Sequence, residues 1–157
     1  MAGGMTTMRD SSRGCSAIGD RPVATAVVLD TGALLASLQL RLQARCFTVP
    51  GAVGEVKDQD SRERLELSLN VGKLQVVAPN EEHIAAAKSI AKVAGVLSRL
   101  SSVDLEVLAL GLQLSECVSK VSIATDDYAV QLAALRAGLG VIRVRFPGVK
   151  ELRKGPA

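Results

Sequence analysis

The chain has 157 residues, of which 48% are hydrophobic and 22% charged, and a net charge of +3 at pH 7. That length suits one domain able to bury roughly 70% of its unfolded surface. Phe47, Tyr128 and Phe146 are the only aromatic residues, which argues against a module that reads RNA on an aromatic sheet and leaves a core of Ala, Val, Leu and Ile.

Residues 1–22 are rich in Gly, Ser, Thr and Met without periodicity and read as a flexible tail. A continuous apolar and β-branched run over 23–29 predicts a buried strand, followed by a helix over 31–42. CFTVP is a short extended piece. Two helical stretches follow, about 51–58 and 61–70, with the polar KDQDSR between them. LQVVA at 74–78 is a second strand. Asn80 then caps a helix running to about Val96, with Glu81 and Glu82 at its positive end. Ser101 or Ser102 caps the next helix, SSVDLEVLALGLQL. VSIAT at 121–125 is a third strand, 127–138 a helix, and VIRVRF at 141–146 a last strand. Alternating strands and helices imply a three-layer α/β domain over 23–149, with a mostly parallel central sheet and helices on both faces. Residues 150–157 form a basic C-terminal tail.

Four acids fall where strands hand over to helices or where helices begin. Asp30 closes VATAVVLD, Glu55 lies after Pro50, Asp104 opens the apolar helix, and Asp126, beside Asp127, ends VSIATDD. In an open parallel sheet the carboxyl ends of the strands share one edge, and ligands bind there. Carboxylates gathered at that edge repel one another unless a cation lies between them, and a hard divalent ion prefers oxygen ligands. Each acid also has a structural reading. Asp30 and either Asp126 or Asp127 suit N-caps, Ser101-x-x-Asp104 suits a capping box, and Glu55 suits the positive end of a helix. Asp104 and Glu106 are two apart on a helix, so only one can face the edge. Asp104, nearer the helix start, is assigned to it.

Other chemistry has less support. His83 is the single histidine, reads as a solvated surface residue, and has no nucleophile-elbow sequence beside it. No Walker A or GxGxxG motif occurs, and Gly138-Leu139-Gly140 reads as a helix stop. Cys15, Cys46 and Cys117 are widely spaced and odd in number, so neither a disulfide framework nor a zinc ribbon is expected, which fits a reducing, cytoplasmic setting. No apolar run reaches the roughly 18 residues of a membrane span, and the N-terminal segment lacks the apolar region of a secretory signal. From Arg136 onward six bases (Arg136, Arg143, Arg145, Lys150, Arg153 and Lys154) face one acid, Glu151, giving that segment +5 and residues 1–135 a charge of −2. A basic end beside an acidic site suits a polyanionic substrate, although a short basic terminus can equally be just a solvated one.

VVLDTGALL, VPGAVGEVKD, LSSVDLEVLALGLQL and IATDDYAVQLAALRAGLGV, in this order and spacing, resemble PIN-domain ribonucleases. EVKDQDSRERLELSLNVGKLQVV and LSRLSSVDLEVLALGL are most similar to the archaeal and eukaryotic branch that trims the 3′ end of small-subunit ribosomal RNA. The resemblance implies an endoribonuclease with a pocket for one or two Mg²⁺ or Mn²⁺ ions. It places the family's acids on Asp30, Glu55, Asp104 and Asp126, with Asp127 as a neighbouring ligand. Thr31 and Thr125 are expected to orient these acids through their hydroxyls, and Arg143, Arg145, Lys150, Arg153 and Lys154 of the basic segment are expected to contact RNA. The implied partner is RNA, a precursor of the small ribosomal subunit, and a homo-oligomer is left open. The family branch normally continues into a zinc ribbon, whereas this sequence ends at GPA. A haloacid-dehalogenase-type phosphatase is a weaker match, because Gly32 stands where that family has a second Asp. A toxin-type PIN ribonuclease and a non-catalytic PIN-like scaffold are the remaining alternatives.

Overall fold

The computed structural model describes residues 25–145. The expected tail over 1–22, Lys150, Arg153 and Lys154 lie outside them. Five strands, β1 (Thr25–Leu29), β2 (Arg45–Thr48), β3 (Gln75–Val76), β4 (Lys120–Ala124) and β5 (Gly140–Ile142), form one sheet of order β3-β2-β1-β4-β5. Every pairing is parallel. Among the described residues the α-helices are α1 (Thr31–Leu35), α2 (Pro50–Gly54), α3 (Gln59–Asn70), α4 (Glu81–Val93), α5 (Ser102–Leu114) and α6 (Tyr128–Arg136). The expected three-layer α/β architecture is therefore present.

The core is aliphatic. Val28, Leu29, Phe47, Leu108, Leu110 and Ile123 are fully buried. α5 packs on both β1 and β4 and against α4, which explains why its sequence is apolar almost all round: seven of its residues are buried.

Several boundaries differ from those expected, each for a local reason. The helix expected over 31–42 stops at Leu35, because Ser37 adopts a left-handed conformation (φ 56°) before a 3₁₀ turn over Leu38–Leu40. Arg64 Nε, donating to Ser37 Oγ at 2.8 Å, holds that kink. Pro50 supplies the preset φ at the first position of α2. Asp58, placed by sequence inside a helix, is the N-cap of α3 and accepts from Ser61 N. α4 ends at Val93 in a Schellman turn: Val96 N–H bonds Ala91 O, Gly95 N–H bonds Lys92 O, and Gly95 has φ 79°. The same pattern closes α6 at Gly138, as the helix-stop reading required. The last strand ends at Ile142 rather than 146, because the Val144 and Arg145 N–H groups donate to Asp126 Oδ1 instead of a neighbouring strand.

Two side chains depart from their sequence readings. His83 is buried, not solvated, at 6% exposure. Its Nδ1 meets Asn80 Oδ1 at 2.5 Å and its Nε2 meets Glu116 Oε2 at 2.8 Å, so the ring clamps the start of α4 to the end of α5. Cys117 is disulfide-bonded, although the spacing suggested no disulfide framework. No helix of the described residues is long and apolar enough to cross a membrane.

Candidate active site

The sheet order puts the change of winding direction between β1 and β4, the position where open α/β sheets leave a crevice. Leu29 is in register with Ala124. The next residues are Asp30 on one strand and Thr125 then Asp126 on the other, so parallel pairing alone delivers two of the acids to one edge. The third arrives on α5, whose first turn carries Asp104.

Asp30 is the centre of this group. Its Oδ1 accepts the Ala33 N–H at 2.8 Å, which makes it the N-cap of α1. Burial pushes its carboxyl above the ordinary value, and the charges of Asp104 and Asp126 push the same way. Hydrogen bonds from the Thr125 side chain and the Ala33 N–H oppose that rise. Thr125 is fully buried, and its Oγ1 also accepts the Asp127 N–H at 3.0 Å.

The other acids have local duties as well. Asp104 Oδ2 accepts the Ser101 N–H at 2.9 Å within the capping box. Asp126 holds the two N–H groups beyond β5, and its Oδ2 lies 3.6 Å from Arg145 Nε. Asp127 caps α6 by accepting the Ala129 N–H at 2.9 Å. Glu55 follows α2 and accepts from Thr31 Oγ1 at 2.6 Å, tied to the residue after Asp30 and not among the charges acting on Asp30. The structure thus gathers Asp30, Asp104 and Asp126, joins Glu55 to them through Thr31, and uses Asp127 for the helix cap. Glu106 Oε1 is buried without a hydrogen-bond partner, 2.7 Å from where a Cβ on Gly51 in α2 would lie.

The donor chemistry of the three gathered acids fits a hard divalent cation, since all are carboxylates. Asp30 and Asp104 each bind backbone through one oxygen, leaving the second outside those bonds. As placed, no three acidic, histidine or cysteine side chains among the described residues are close enough to grip one ion. Asp104 is turned onto Ser101 N–H, and Asp126 onto the residues after β5.

Among the described residues, the other titratable candidates lie away from this crevice or are inert. His83 and Glu116 sit at the far end of α5, about 15 Å along the helix axis from Asp104 by the rise per residue. The Cys46 thiol is buried, which pushes it up to about 11 and keeps it protonated at neutral pH.

Beside Asp126 lies a recess lined by Tyr128, Gln131, Arg143 and Arg145. The two arginines were expected near substrate. Tyr128 and Gln131 were not, although their spacing on α6 is a legible sign that they share a face.

The PIN domain of ribonuclease matches residues 27–114, a span that contains Asp30, Glu55 and Asp104. "Ribonuclease VapC3" of Aeropyrum pernix is 47% identical over 141 residues, covering 90% of this chain and 99% of the relative. "Endoribonuclease Nob1" of Pyrococcus abyssi is 38% identical over 82% of this chain and 73% of its own. The "20S-pre-rRNA D-site endonuclease NOB1" of Saccharomyces cerevisiae is 37% identical over 57% of this chain but only 20% of its own. With that match over more than half its length, and with the strand order and crevice described above, the chain belongs to the PIN-domain ribonuclease family.

Proposed function

We infer that this protein is a metal-dependent endoribonuclease that hydrolyses RNA phosphodiesters in the maturation of small-subunit ribosomal RNA. The observation that carries the reading is that the charges of Asp104 and Asp126, from two other elements, both press on the buried carboxyl of Asp30 at one crevice. Relatives named as Nob1 endonucleases support the ribosomal setting.

Asp30, Asp104 and Asp126 would hold Mg²⁺ or Mn²⁺, one or two ions, with Glu55 completing the site and Asp127 beside it. Such an ion, when bound, lowers the pKa of a water and offsets phosphate charge in the transition state. The Thr125 hydroxyl and the Ala33 N–H fix the rotamer of Asp30, and Thr31 fixes Glu55. Arg143 and Arg145, with Lys150, Arg153 and Lys154, hold the RNA backbone. Cleavage would leave a 3′-hydroxyl and a 5′-phosphate without a covalent enzyme intermediate.

The test is Asp30→Asn assayed on a labelled single-stranded RNA with Mn²⁺. Cleavage at the wild-type rate would remove Asp30 from the mechanism. Mn²⁺ titration by calorimetry separates an enzyme from a non-catalytic scaffold, which should show no carboxylate-dependent binding. One observation favours a second reading, a toxin-type PIN ribonuclease: the chain covers 99% of the Aeropyrum VapC relative. Growth arrest on expression of the wild-type chain, relieved by Asp30→Asn, would favour it over ribosomal RNA processing.

A further inference from the structure

The recess beside Asp126 has a volume of about 320 Å³, and its described lining is Asp126, Tyr128, Gln131, Arg143 and Arg145. That is the small end of ligand pockets, which run roughly 300–1,000 Å³ and so admit a single nucleotide here. Three features give it a chemical character. Tyr128 is 65% exposed, whereas Phe47 is fully buried. An aromatic ring left in water at the mouth of a recess is a stacking platform. Arg143 and Arg145 bring two permanent cations, and Asp126 holds their segment in place by accepting the Val144 and Arg145 N–H groups. Gln131 is 8% exposed, and its Nε2 donates to Thr125 O at 3.0 Å. That bond fixes which end of the amide is which and leaves Oε1 as an acceptor for a base N–H.

We propose that this recess holds one unstacked nucleotide of single-stranded RNA, adjacent to the phosphate at the acidic crevice. Tyr128 stacks on the base, Gln131 Oε1 accepts from a base amino or imino group, and Arg143 and Arg145 take the phosphate. Asp126 belongs to both the recess and the crevice, so the bound nucleotide sets which phosphate lies at Asp30. A base paired in a duplex cannot reach the ring, so the site selects single strands. The aromatic-poor composition excludes a sheet of stacked bases but not this single platform. The proposal rests on the ribonuclease reading and deepens it.

The full chain is titrated in EDTA against a fluorescein-labelled single-stranded oligouridylate and against a duplex of the same length, read by fluorescence anisotropy. Tyr128→Ala is expected to raise Kd for the single strand about 5- to 100-fold and to leave the duplex unchanged. Tyr128→Phe keeps the ring and restores binding. Changing Arg143 and Arg145 to Gln should reduce the slope of log Kd against log salt by about one for each phosphate no longer neutralised. Circular dichroism and melting confirm that each variant folds. Tyr128→Ala with an unchanged single-strand Kd overturns the proposal. If that occurs while Asp30→Asn abolishes cleavage, the nucleotide site falls and the ribonuclease reading stands. If Tyr128→Ala weakens binding but Asp30→Asn cleaves as wild type, the site stands and the carboxylate mechanism falls. A wild-type chain that neither binds nor cleaves RNA sinks both.

Discussion

Replacing Thr125 by valine keeps the β-branched shape at the end of β4 and deletes one fully buried hydroxyl. Two interactions go with it: the Oγ1 bond accepting Asp127 N–H at 3.0 Å and the bond donated to the Asp30 carboxyl. A neutral bond contributes about 0.5–1.5 kcal/mol and one to a charged group about 1.5–3, so the variant should lose about 2–4 kcal/mol at neutral pH. The loss should depend on pH. Burial holds Asp30 above its usual 3.8, with the nearby charges adding to the rise and the Thr125 bond opposing it. As pH rises past 3.8 the unfolded chain releases this proton first. The native state then binds more protons, and the contribution of Asp30 to stability falls until the native group also ionises. Without Thr125 the native carboxyl shifts further up and that window widens. The penalty of Thr125→Val should therefore grow with pH, and shrink to about 1–3 kcal/mol once Asp30 is protonated. Urea unfolding of wild type, Thr125→Val and Thr125→Ser across this pH range measures it, with Thr125→Ser retaining the hydroxyl. A double-mutant cycle with Asp30→Asn should give a coupling of about 1–2 kcal/mol. A penalty below about 0.5 kcal/mol, or one independent of pH, would refute the assignment of Thr125 as the internal partner of Asp30.

Asp30→Asn should raise the melting temperature at neutral pH, because Asn caps a helix as well as Asp and no longer carries a buried charge facing Asp104 and Asp126. The same variant should lose at least about 100-fold in Mn²⁺-supported cleavage, so calorimetry and a cleavage assay would move in opposite directions. Gly111→Ala would put a Cβ 2.7 Å from Ile123 Cδ1 and 2.9 Å from Leu139 Cδ1. Overpacking of about 1–3 kcal/mol outweighs a helix-propensity gain of about 1, and denaturant melts should show net destabilisation. His83→Ala should cost about 1–3 kcal/mol by removing the clamp between Asn80 and Glu116, with cleavage by the folded fraction unchanged.

Much of the fold and of the acidic edge is legible along the chain because local rules govern it. The buried run ending at Asp30, the capping box at Ser101 and Asp104, the cap at Asn80 and the stop at Gly138 all depend on residues a few positions apart, and each stands in the structure. Parallel pairing of β1 with β4 then puts Asp30 and Asp126 on one edge without further information. Other features rest on partners remote in sequence, which no local pattern reports. α1 stops early at a kink held by Arg64, 27 residues on, and His83 is buried against Glu116, 33 residues away. β5 ends where Asp126 takes the N–H groups of Val144 and Arg145.

By itself, then, the sequence determined which acids stand at strand ends and helix starts, because periodicity and caps are short-range consequences of side-chain shape and hydrogen bonding. Tertiary structure alone decided how those carboxylates are occupied. Asp104 is turned to its cap, Asp126 to the segment after β5, and Tyr128 is left outside the core beside two arginines. The orientation of a charged side chain follows the nearest unsatisfied donor in space, and folding chooses that donor.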